Sequence, residues 1–462
     1  MFSYNKTVVI RNLILIIICI ASFLVFNNFN KNIKTTEEVK GFKHAEWSNN
    51  AVIYEVNVRQ YTPEGTFKAF EEHLLRLKNM GVKILWLMPI QPIGEVNRKG
   101  SLGSYYSVKD YLAVNPEFGT SEDFRHLVTK IHQLGMYVII DWVANHTSWD
   151  HAWATSNPDF YSKDSSGNFI PPVADWHDVI DLNYENKGLR EKMISALKFW
   201  IDRYDIDGYR CDVAGMVPTD FWNEARPQLD KLKPVFMLAE AEQLDLHQKA
   251  FDMTYAWDLH RLYNDIAKGK KNVEDLVDYT EKEQTTYKNN EYRMNFVSNH
   301  DENTWNGTEF ERLGKAVKTF TALNYVYRGM PLIYSGQESE NLKRLRFFDK
   351  DTIEWKKTQL SVLYEKLGAL KINNQALWNG NFGSDIIVLP VNNKKSIFAF
   401  VRMKDKNKVF CVFNLSNKQI TANIESDLLD GQFTNFATGK EQAFNNSSVL
   451  KLKPWGYYIF YN

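Results

Sequence analysis

Four acidic residues stand at the ends of apolar runs that are typical of buried β-strands. The runs are YVIID, IDGYRCD, VFMLAE and FVSNHD, and their last residues are Asp141, Asp212, Glu240 and Asp301. A single acid after a strand is commonly the N-cap of the next helix. Four of them, one with Arg210 two residues before it, are harder to explain as caps. Because carboxylates that share a cleft raise one another's pKa at a cost in stability, the pattern indicates a catalytic use.

Glycoside hydrolysis is a reaction that requires such a cluster. One carboxylate attacks the anomeric carbon or activates water, and a second, protonated carboxyl group gives its proton to the leaving oxygen. Arginine and histidine side chains orient the nucleophile and bind sugar hydroxyls. Aromatic residues make up 14% of the chain, with 13 Trp and 23 Tyr, which suits the binding of flat apolar faces such as sugar rings.

Short β-rich apolar runs alternate with longer amphipathic stretches from Ala51 onward, which predicts an α/β fold. Runs without polar alternation are typical of a parallel sheet that is covered by helices on the outside. Eight such units close a (β/α)8 TIM barrel, in which the strand ends share one catalytic rim. We therefore expect barrel strands near Ile53, Ile84, Val138, Gly208, Phe236, Thr254, Phe296 and Leu332.

The alternation breaks twice, and both breaks predict further domains. Between Asn145 and Asp181 a Pro- and aromatic-rich stretch is too long for an ordinary βα loop, so we expect a small inserted domain after strand 3. After about residue 375, short alternating runs predict a C-terminal antiparallel β-sandwich domain. The expected boundaries are 41–145 and 182–374 for the barrel, 146–181 for the inserted subdomain and 375–462 for the C-terminal domain.

Residues 1–40 have the pattern of a signal peptide or a membrane anchor followed by a polar tether. Leu13 to Phe26 carries no charge, and Lys6 and Arg11 precede it, as in a secretory signal. This run is shorter than the roughly 20 residues that span a bilayer, and no clear cleavage site follows it. We expect export to a periplasmic or extracellular location, and we leave open whether residues 8–26 anchor the protein in a membrane.

Short motifs then occur in the order that a known family uses. They are SYYSVKDY (Ser104–Tyr111), DWVANH (Asp141–His146), DLN (Asp181–Asn183), GYRCDVAGM (Gly208–Met216), AEAE (Ala239–Glu242) and NHD (Asn299–Asp301). With these motifs the chain after residue 50 resembles the α-amylase family of glycoside hydrolases, glycoside hydrolase family 13. The resemblance implies a retaining mechanism with two carboxyl groups about 5–5.5 Å apart.

The resemblance also implies roles for individual residues. Asp212 matches the catalytic nucleophile, Glu240 the general acid/base, and Asp301 the acid that stabilises the transition state. Glu242 is a rival for Glu240, which we favour because it follows the apolar run directly. The residues that the resemblance places around the substrate are Tyr106, Asp141, His146, Arg210 and His300.

The simplest activity implied is an α-amylase that cleaves internal α-1,4-glucosidic bonds in starch-like α-glucans and maltooligosaccharides. A neopullulanase, an α-glucosidase and a transglycosylase of the same family are alternatives. A non-enzymatic alternative is the membrane-anchored barrel subunit of a transporter, which typically lacks parts of the catalytic set. Here the set is complete: Arg210, Asp212, Glu240, His300 and Asp301. A formal net charge of zero argues against a nucleic-acid partner, and the oligomeric state is left open.

Many members of the family bind calcium between the barrel and the inserted domain, which makes Asn145 a candidate metal ligand here. Met216 stands where the family usually has a His that offers its main-chain oxygen. The oxygen-rich early loop of some relatives is also missing, since the segment 60–67 is short. Because calcium takes six to eight oxygen ligands, we expect no required cofactor and keep Ca²⁺ at Asn145 as the alternative.

Overall fold

Eight parallel strands close into a barrel at the centre of the protein. The computed structural model describes residues 43–287 and 290–462. The barrel strands are Ile53–Val56, Ile84–Leu87, Tyr137–Trp142, Gly208–Cys211, Phe236–Ala239, Met253–Tyr255, Tyr292–Asn295 and Met330–Tyr334. The first strand pairs with both the second and the eighth, which completes the ring. This confirms the predicted (β/α)8 barrel, although the seventh strand ends at Asn295, so Phe296 lies one residue beyond it.

The barrel strands are apolar throughout because both of their faces are buried. In the second strand, Ile84 and Trp86 belong to the core inside the barrel, whereas Leu85 and Leu87 belong to the core shared with the surrounding helices. Side chains alternate along a strand. In the first strand this alternation places Glu55, two residues after the inward-facing Ile53, on the inner side of the barrel as well.

Helices cover the outside of the barrel. They are Val58–Tyr61, Phe67–Glu71, Leu74–Asn79, Ser121–Gln133, Lys187–Tyr204, Thr219–Asp230, Trp257–Ala267, Val273–Thr286, Glu309–Leu313, Val317–Val326 and Gln359–Asn373. One more short helix, Ala152–Ser156, belongs to the segment between the third and fourth barrel strands. The helical stretch that begins at Glu309 is interrupted at Gly314, which has a φ of 54°. Glycine adopts this left-handed conformation without steric penalty, so the helical stretch divides there into two.

The segment between the third and fourth barrel strands carries a small antiparallel pair of its own. His146–Ser148 pairs with Val179–Asp181. A single bridge between Tyr161 and Leu182 extends the unit. The pairing ties the end of the insertion to its beginning, which lies directly after the end of the third barrel strand.

Two antiparallel sheets follow the last helix and share one apolar core. The larger sheet has, in spatial order, the strands Ile387–Val388, Ile397–Lys404, Asn407–Asn414, Tyr457–Tyr461, Gly431–Asn435 and Glu441–Phe444. The smaller sheet consists of Ile420–Glu425 and Ser447–Leu452. Val412 of the first sheet and Ile424 of the second are buried in the same cluster. This confirms the predicted C-terminal antiparallel β domain.

The N-terminal segment lies outside the described residues, so its expected role as a signal peptide or membrane anchor stays a prediction. Within residues 43–287 and 290–462, no helix combines the length and the apolar character that crossing a membrane requires. The expected domain boundaries likewise remain predictions.

Candidate active site

A cleft of about 600 Å³ opens at the carboxyl ends of the barrel strands. Asp212, Glu240 and Asp301 line it, and Asp141 lies beneath them, fully buried. Asp212 and Glu240 directly follow the fourth and fifth barrel strands. Asp301 stands further from its strand, at the start of the helical turn Glu302–Asn306. The structure therefore brings the four strand-end acids together at one rim.

Arg210 connects three of these acids. Its Nη1 donates to Asp141 Oδ1 at 2.9 Å and to Asp212 Oδ1 at 2.8 Å. Its Nη2 lies 2.8 Å from Glu240 Oε2, and its Nε donates to the Tyr255 hydroxyl at 3.2 Å. The guanidinium is completely buried, so its charge is poorly screened by solvent. One cation thereby holds the two expected catalytic acids and the buried one beneath them in fixed relative positions.

Burial and the neighbouring carboxylates raise the pKa of Asp212 and of Glu240. Burial raises the pKa of Glu240 to about 7; Arg210 opposes the shift, and the charges of Asp212 and Asp301 add to it. Burial likewise raises the pKa of Asp212 to about 6 against the effect of Arg210. Glu240 therefore keeps its proton to higher pH than Asp212 does. This is the division between a proton donor and an ionised nucleophile that glycoside hydrolysis needs.

Tyr106 and His300 form the floor of the cleft. Their rings stack with centroids 5.5 Å apart. The Tyr106 hydroxyl donates to Asp141 Oδ2 at 3.1 Å and lies 2.8 Å from His300 Nε2. Trp86 Nε1 donates to the same oxygen of Asp141 at 3.1 Å. The floor is thus an aromatic face, held in place from below, on which the apolar side of a sugar ring can pack.

His146 and Asp301 face the cleft from its walls. Burial lowers the pKa of His146 to about 3, so its ring is neutral at neutral pH and has both a donor and an acceptor nitrogen. The Asp301 side chain is 35% exposed and accepts a hydrogen bond from Trp305 Nε1 at 3.2 Å. Both groups are therefore available to sugar hydroxyls. All eight catalytic and substrate-binding residues expected from the sequence lie in the cleft or directly beneath it.

Several residues of the site were not predicted from the sequence. Lys99, Asp178, Phe347 and Phe348 line the cleft from loops, whose positions no strand pattern indicates. Glu55 contacts His300 Nδ1 from below. The available signal for Glu55 was a charged residue inside an apolar strand, on the side that faces the barrel interior.

The rival acid Glu242 turns away from the cleft. It forms ion pairs with Arg261 and Arg293, each at 3.1 Å. A larger cavity of about 1070 Å³ lies elsewhere on the surface, between Tyr111, Trp153 and Phe199 among others. None of the four strand-end acids lines it, so cavity size does not identify the site here.

Asn145, the candidate calcium ligand, takes part in hydrogen bonds with both its side chain and its main chain. Its side-chain amide lies 3.2 Å from His146 Nδ1, and its main-chain oxygen accepts a hydrogen bond from the Leu182 N–H at 3.1 Å. In the described part of the chain, no group of three or more His, Cys, Asp or Glu side chains has the spacing of a metal site. Calcium needs six to eight oxygen ligands. The expectation that no cofactor is required stays a prediction.

Two family models match the chain. The model of the α-amylase catalytic domain matches residues 26–178 and 172–414, and the model of the maltogenic amylase C-terminal domain matches residues 386–459. Among curated proteins, alpha-amylase 3 of Dictyoglomus thermophilum is 25% identical, over 83% of this chain and 88% of its own length.

Two solved structures share both domains with this chain. An α-amylase from Lactobacillus plantarum has a TM-score of 0.80 at 32% identity and covers 90% of this chain and 99% of its own. A noncanonic maltogenic α-amylase from Thermotoga neapolitana has a TM-score of 0.82 at 28% identity, with 89% and 98% covered. The catalytic-domain match extends over most of the chain and includes the residues that build the cleft. The protein belongs to the α-amylase family of glycoside hydrolases, glycoside hydrolase family 13.

Proposed function

We propose that the protein is a retaining glycoside hydrolase that cleaves α-1,4-glucosidic bonds in starch-like α-glucans and maltooligosaccharides. The observation that carries the proposal is the guanidinium of Arg210, with Nη1 2.8 Å from Asp212 and Nη2 2.8 Å from Glu240. It holds two acids with different proton affinities beside one cleft. The aromatic floor at Tyr106 supports a sugar substrate, because a sugar ring packs its apolar face on such a surface.

In the first step, an Asp212 oxygen bonds to the anomeric carbon while the bond from that carbon to the glycosidic oxygen breaks. Glu240 gives its proton to this oxygen, which leaves as a hydroxyl group of the departing sugar. The product is a glycosyl ester of Asp212 with inverted, β configuration. The carboxylate of Asp301 stabilises the positive charge that develops on the sugar in the transition state.

In the second step, Glu240 is a carboxylate and takes a proton from water. The water oxygen attacks the anomeric carbon, the ester bond to Asp212 breaks, and the second inversion restores the α configuration. The cycle starts with Asp212 ionised and Glu240 protonated. Because burial raises their pKa values to about 6 and about 7, we expect a bell-shaped dependence of kcat/KM on pH with its maximum between these values.

A second candidate activity, release of short products from chain ends, is favoured by a bridge across the cleft wall. Lys99 Nζ lies 3.1 Å from Asp178 Oδ1 and donates to the main-chain oxygen of Asp175 at 2.9 Å. The bridge joins the loop after the second barrel strand to the inserted segment. If this bridge closes that side of the cleft, a chain end enters more readily than the middle of a polymer does. The match to a maltogenic amylase C-terminal domain supports the same reading.

Product analysis separates the two activities. The full chain is incubated with amylose, pullulan and short maltooligosaccharides, and the products are resolved over time. A ladder of mid-length products from amylose supports internal cleavage, whereas maltose or glucose from the first minutes supports chain-end action. Absence of products from every α-glucan contradicts the proposed function. Proton NMR of the first product distinguishes retention from inversion, since the α anomer appears first only in a retaining reaction.

The Lys99→Ala variant serves as the matched test of the bridge. If the bridge restricts the cleft, the variant forms longer initial products from amylose than the wild type does. An unchanged product pattern assigns the bridge to the folding of the inserted segment alone.

A further inference from the structure

Glu55 is a fully buried carboxylate that lies under the floor of the cleft and does not line the cleft itself. It stands in the first barrel strand, opposite Trp86 of the second strand and Tyr334 of the eighth. Its Oε1 lies 2.5 Å from His300 Nδ1. Its Oε2 has no hydrogen-bond partner among the described residues. Packing alone does not explain a carboxylate at this place, because an unpartnered buried oxygen is costly and a neutral residue would avoid that cost.

The hydrogen bonds around His300 indicate where its protons are. Nδ1 faces the Glu55 carboxylate, which as an ion only accepts hydrogen bonds. Nε2 faces the Tyr106 oxygen at 2.8 Å, and Tyr106 donates its own proton to Asp141. Nε2 also lies 3.3 Å from Asp301 Oδ2, a second acceptor. Acceptors therefore surround both ring nitrogens, which is the environment of a doubly protonated, positively charged imidazole.

We propose that Glu55 is a positioning residue of the active site, which holds His300 as a fixed cation whose Nε2–H points at Tyr106 and Asp301 beneath the sugar. This inference rests on the proposed glycoside hydrolysis and deepens it. Glu55 touches no substrate and acts through His300. The cation at His300 supplies a second positive charge beside Arg210, and it keeps the Asp301 carboxylate oriented toward the cleft.

The electrostatic surroundings agree with this geometry. The titratable and charged groups that face the His300 ring are Glu55, Tyr106, Asp141, Arg210 and Asp301. Burial alone lowers the pKa of His300, but Asp301 and Glu55 outweigh burial and Arg210, and the pKa rises to about 9. Burial also raises the pKa of Glu55, and the charge of His300 opposes that rise. His300 thus stays charged throughout the range in which Asp212 and Glu240 change protonation.

The Glu55→Gln variant separates charge from shape. Glutamine keeps an oxygen that accepts the Nδ1–H hydrogen bond and fills nearly the same volume, but it carries no charge. Because an opposite charge within about 4–6 Å typically changes a pKa by about 1–3, we expect the His300 titration midpoint to fall by at least one pH unit. We expect kcat to fall by about tenfold or more with KM changed by less than about threefold, because the defect lies in the transition state.

Two variants serve as controls. Glu55→Asp keeps the charge but moves it, and we expect it to restore part of both kcat and the His300 midpoint. Glu283→Gln removes another buried carboxylate, which does not line the cleft and lies 3.6 Å from Arg293. We expect it to leave kcat and the His300 midpoint unchanged even where it lowers Tm. A merely structural role for Glu55 would give Glu283→Gln and Glu55→Gln the same profile.

The decisive readout is nitrogen NMR of the histidine rings in the full chain without substrate, with His300→Asn used for assignment. Two protonated ring nitrogens on His300 at pH 7 support the proposal in the wild type, so it can be tested even if Glu55→Gln fails to fold. A neutral His300 ring at pH 7, or an unchanged midpoint in Glu55→Gln, overturns it. These measurements need no substrate. Failure of the wild type to cleave any α-glucan would therefore contradict the proposed function and leave the titration result to decide on Glu55.

Discussion

Arg210 and Arg402 are both completely buried, and different acceptors surround them. At the catalytic rim, Arg210 contacts the carboxylates of Asp141, Asp212 and Glu240. At the junction of the barrel and the C-terminal domain, every hydrogen bond that the structure shows for Arg402 goes to a main-chain carbonyl. These carbonyls belong to Val326, Tyr327, Trp378 and Ser384.

The acceptors decide what each region can do. Main-chain carbonyls at the end of the helix Val317–Val326 carry partial negative charge but cannot take a proton, so Arg402 fixes one domain on the other. Carboxylates can take a proton, and those around Arg210 have their pKa raised by burial into the range near neutrality. Buried charge therefore serves structure where its partners do not titrate, and chemistry where they do.

The largest expected effect comes from Asp212→Asn. The variant keeps the shape of the nucleophile and a contact with Arg210, but an amide cannot form the glycosyl ester. We expect kcat/KM to fall by at least roughly 10⁴-fold, while Tm changes little because Arg210 retains Asp141 and Glu240. Steady-state kinetics and calorimetry on the same preparation measure both quantities. Full activity in this variant would refute the assignment of the nucleophile.

Arg402→Met is the converse test at the domain junction. It leaves four main-chain oxygens without their buried donor, and we expect the free energy of unfolding to fall by about 3 kcal/mol. The junction lies at the end of the helix that precedes the eighth barrel strand, opposite the catalytic rim, so kcat should stay within about twofold of the wild type. Denaturant titration and kinetics check the two expectations. A large loss of kcat in folded protein would mean that the regions are not independent.

A third prediction concerns pH and uses Glu240→Gln. Burial raises the pKa of Glu240 from 4.5 to about 7, so the folded protein binds this proton more tightly than the unfolded chain does. The contribution to stability is therefore lost as pH rises from about 4.5 to about 7. Glutamine has no proton to lose, and we expect the variant to match the wild type near pH 4 and to exceed its stability by roughly 3 kcal/mol at pH 8.

Calorimetry of the wild type and of Glu240→Gln at several pH values measures this difference. A pH-independent difference for Glu240→Gln would contradict the raised pKa of the acid.

The strand-end acids were predictable because an apolar run that stops at a carboxylate marks the rim of a barrel, and the rim brings distant positions together. The seventh strand was expected near Phe296 and ends one residue before it, because Phe296 and Val297 are more apolar than Arg293 and Asn295 within the strand. Glu55 and Lys99 could not be assigned from the sequence, for different reasons. The role of Glu55 depends on His300, which lies 245 positions away, and the position of Lys99 depends on a loop and on Asp178 of the insertion.

The smallest expected effect is that of a chelator. The negative charge of the cleft is balanced by the guanidinium of Arg210 and, in our proposal, by the imidazolium of His300, so a metal ion is not needed for that balance. In the described part of the chain, no group of three or more His, Cys, Asp or Glu side chains has the spacing of a metal site, and the Asn145 amide lies 3.2 Å from His146 Nδ1. We expect EDTA to change kcat/KM by less than about 10% and to leave Tm unchanged, since calcium takes six to eight oxygen ligands and no acidic cluster among the described residues supplies them. A fall in Tm with EDTA that added Ca²⁺ reverses would show that a third way of balancing charge, by a metal, operates in this protein.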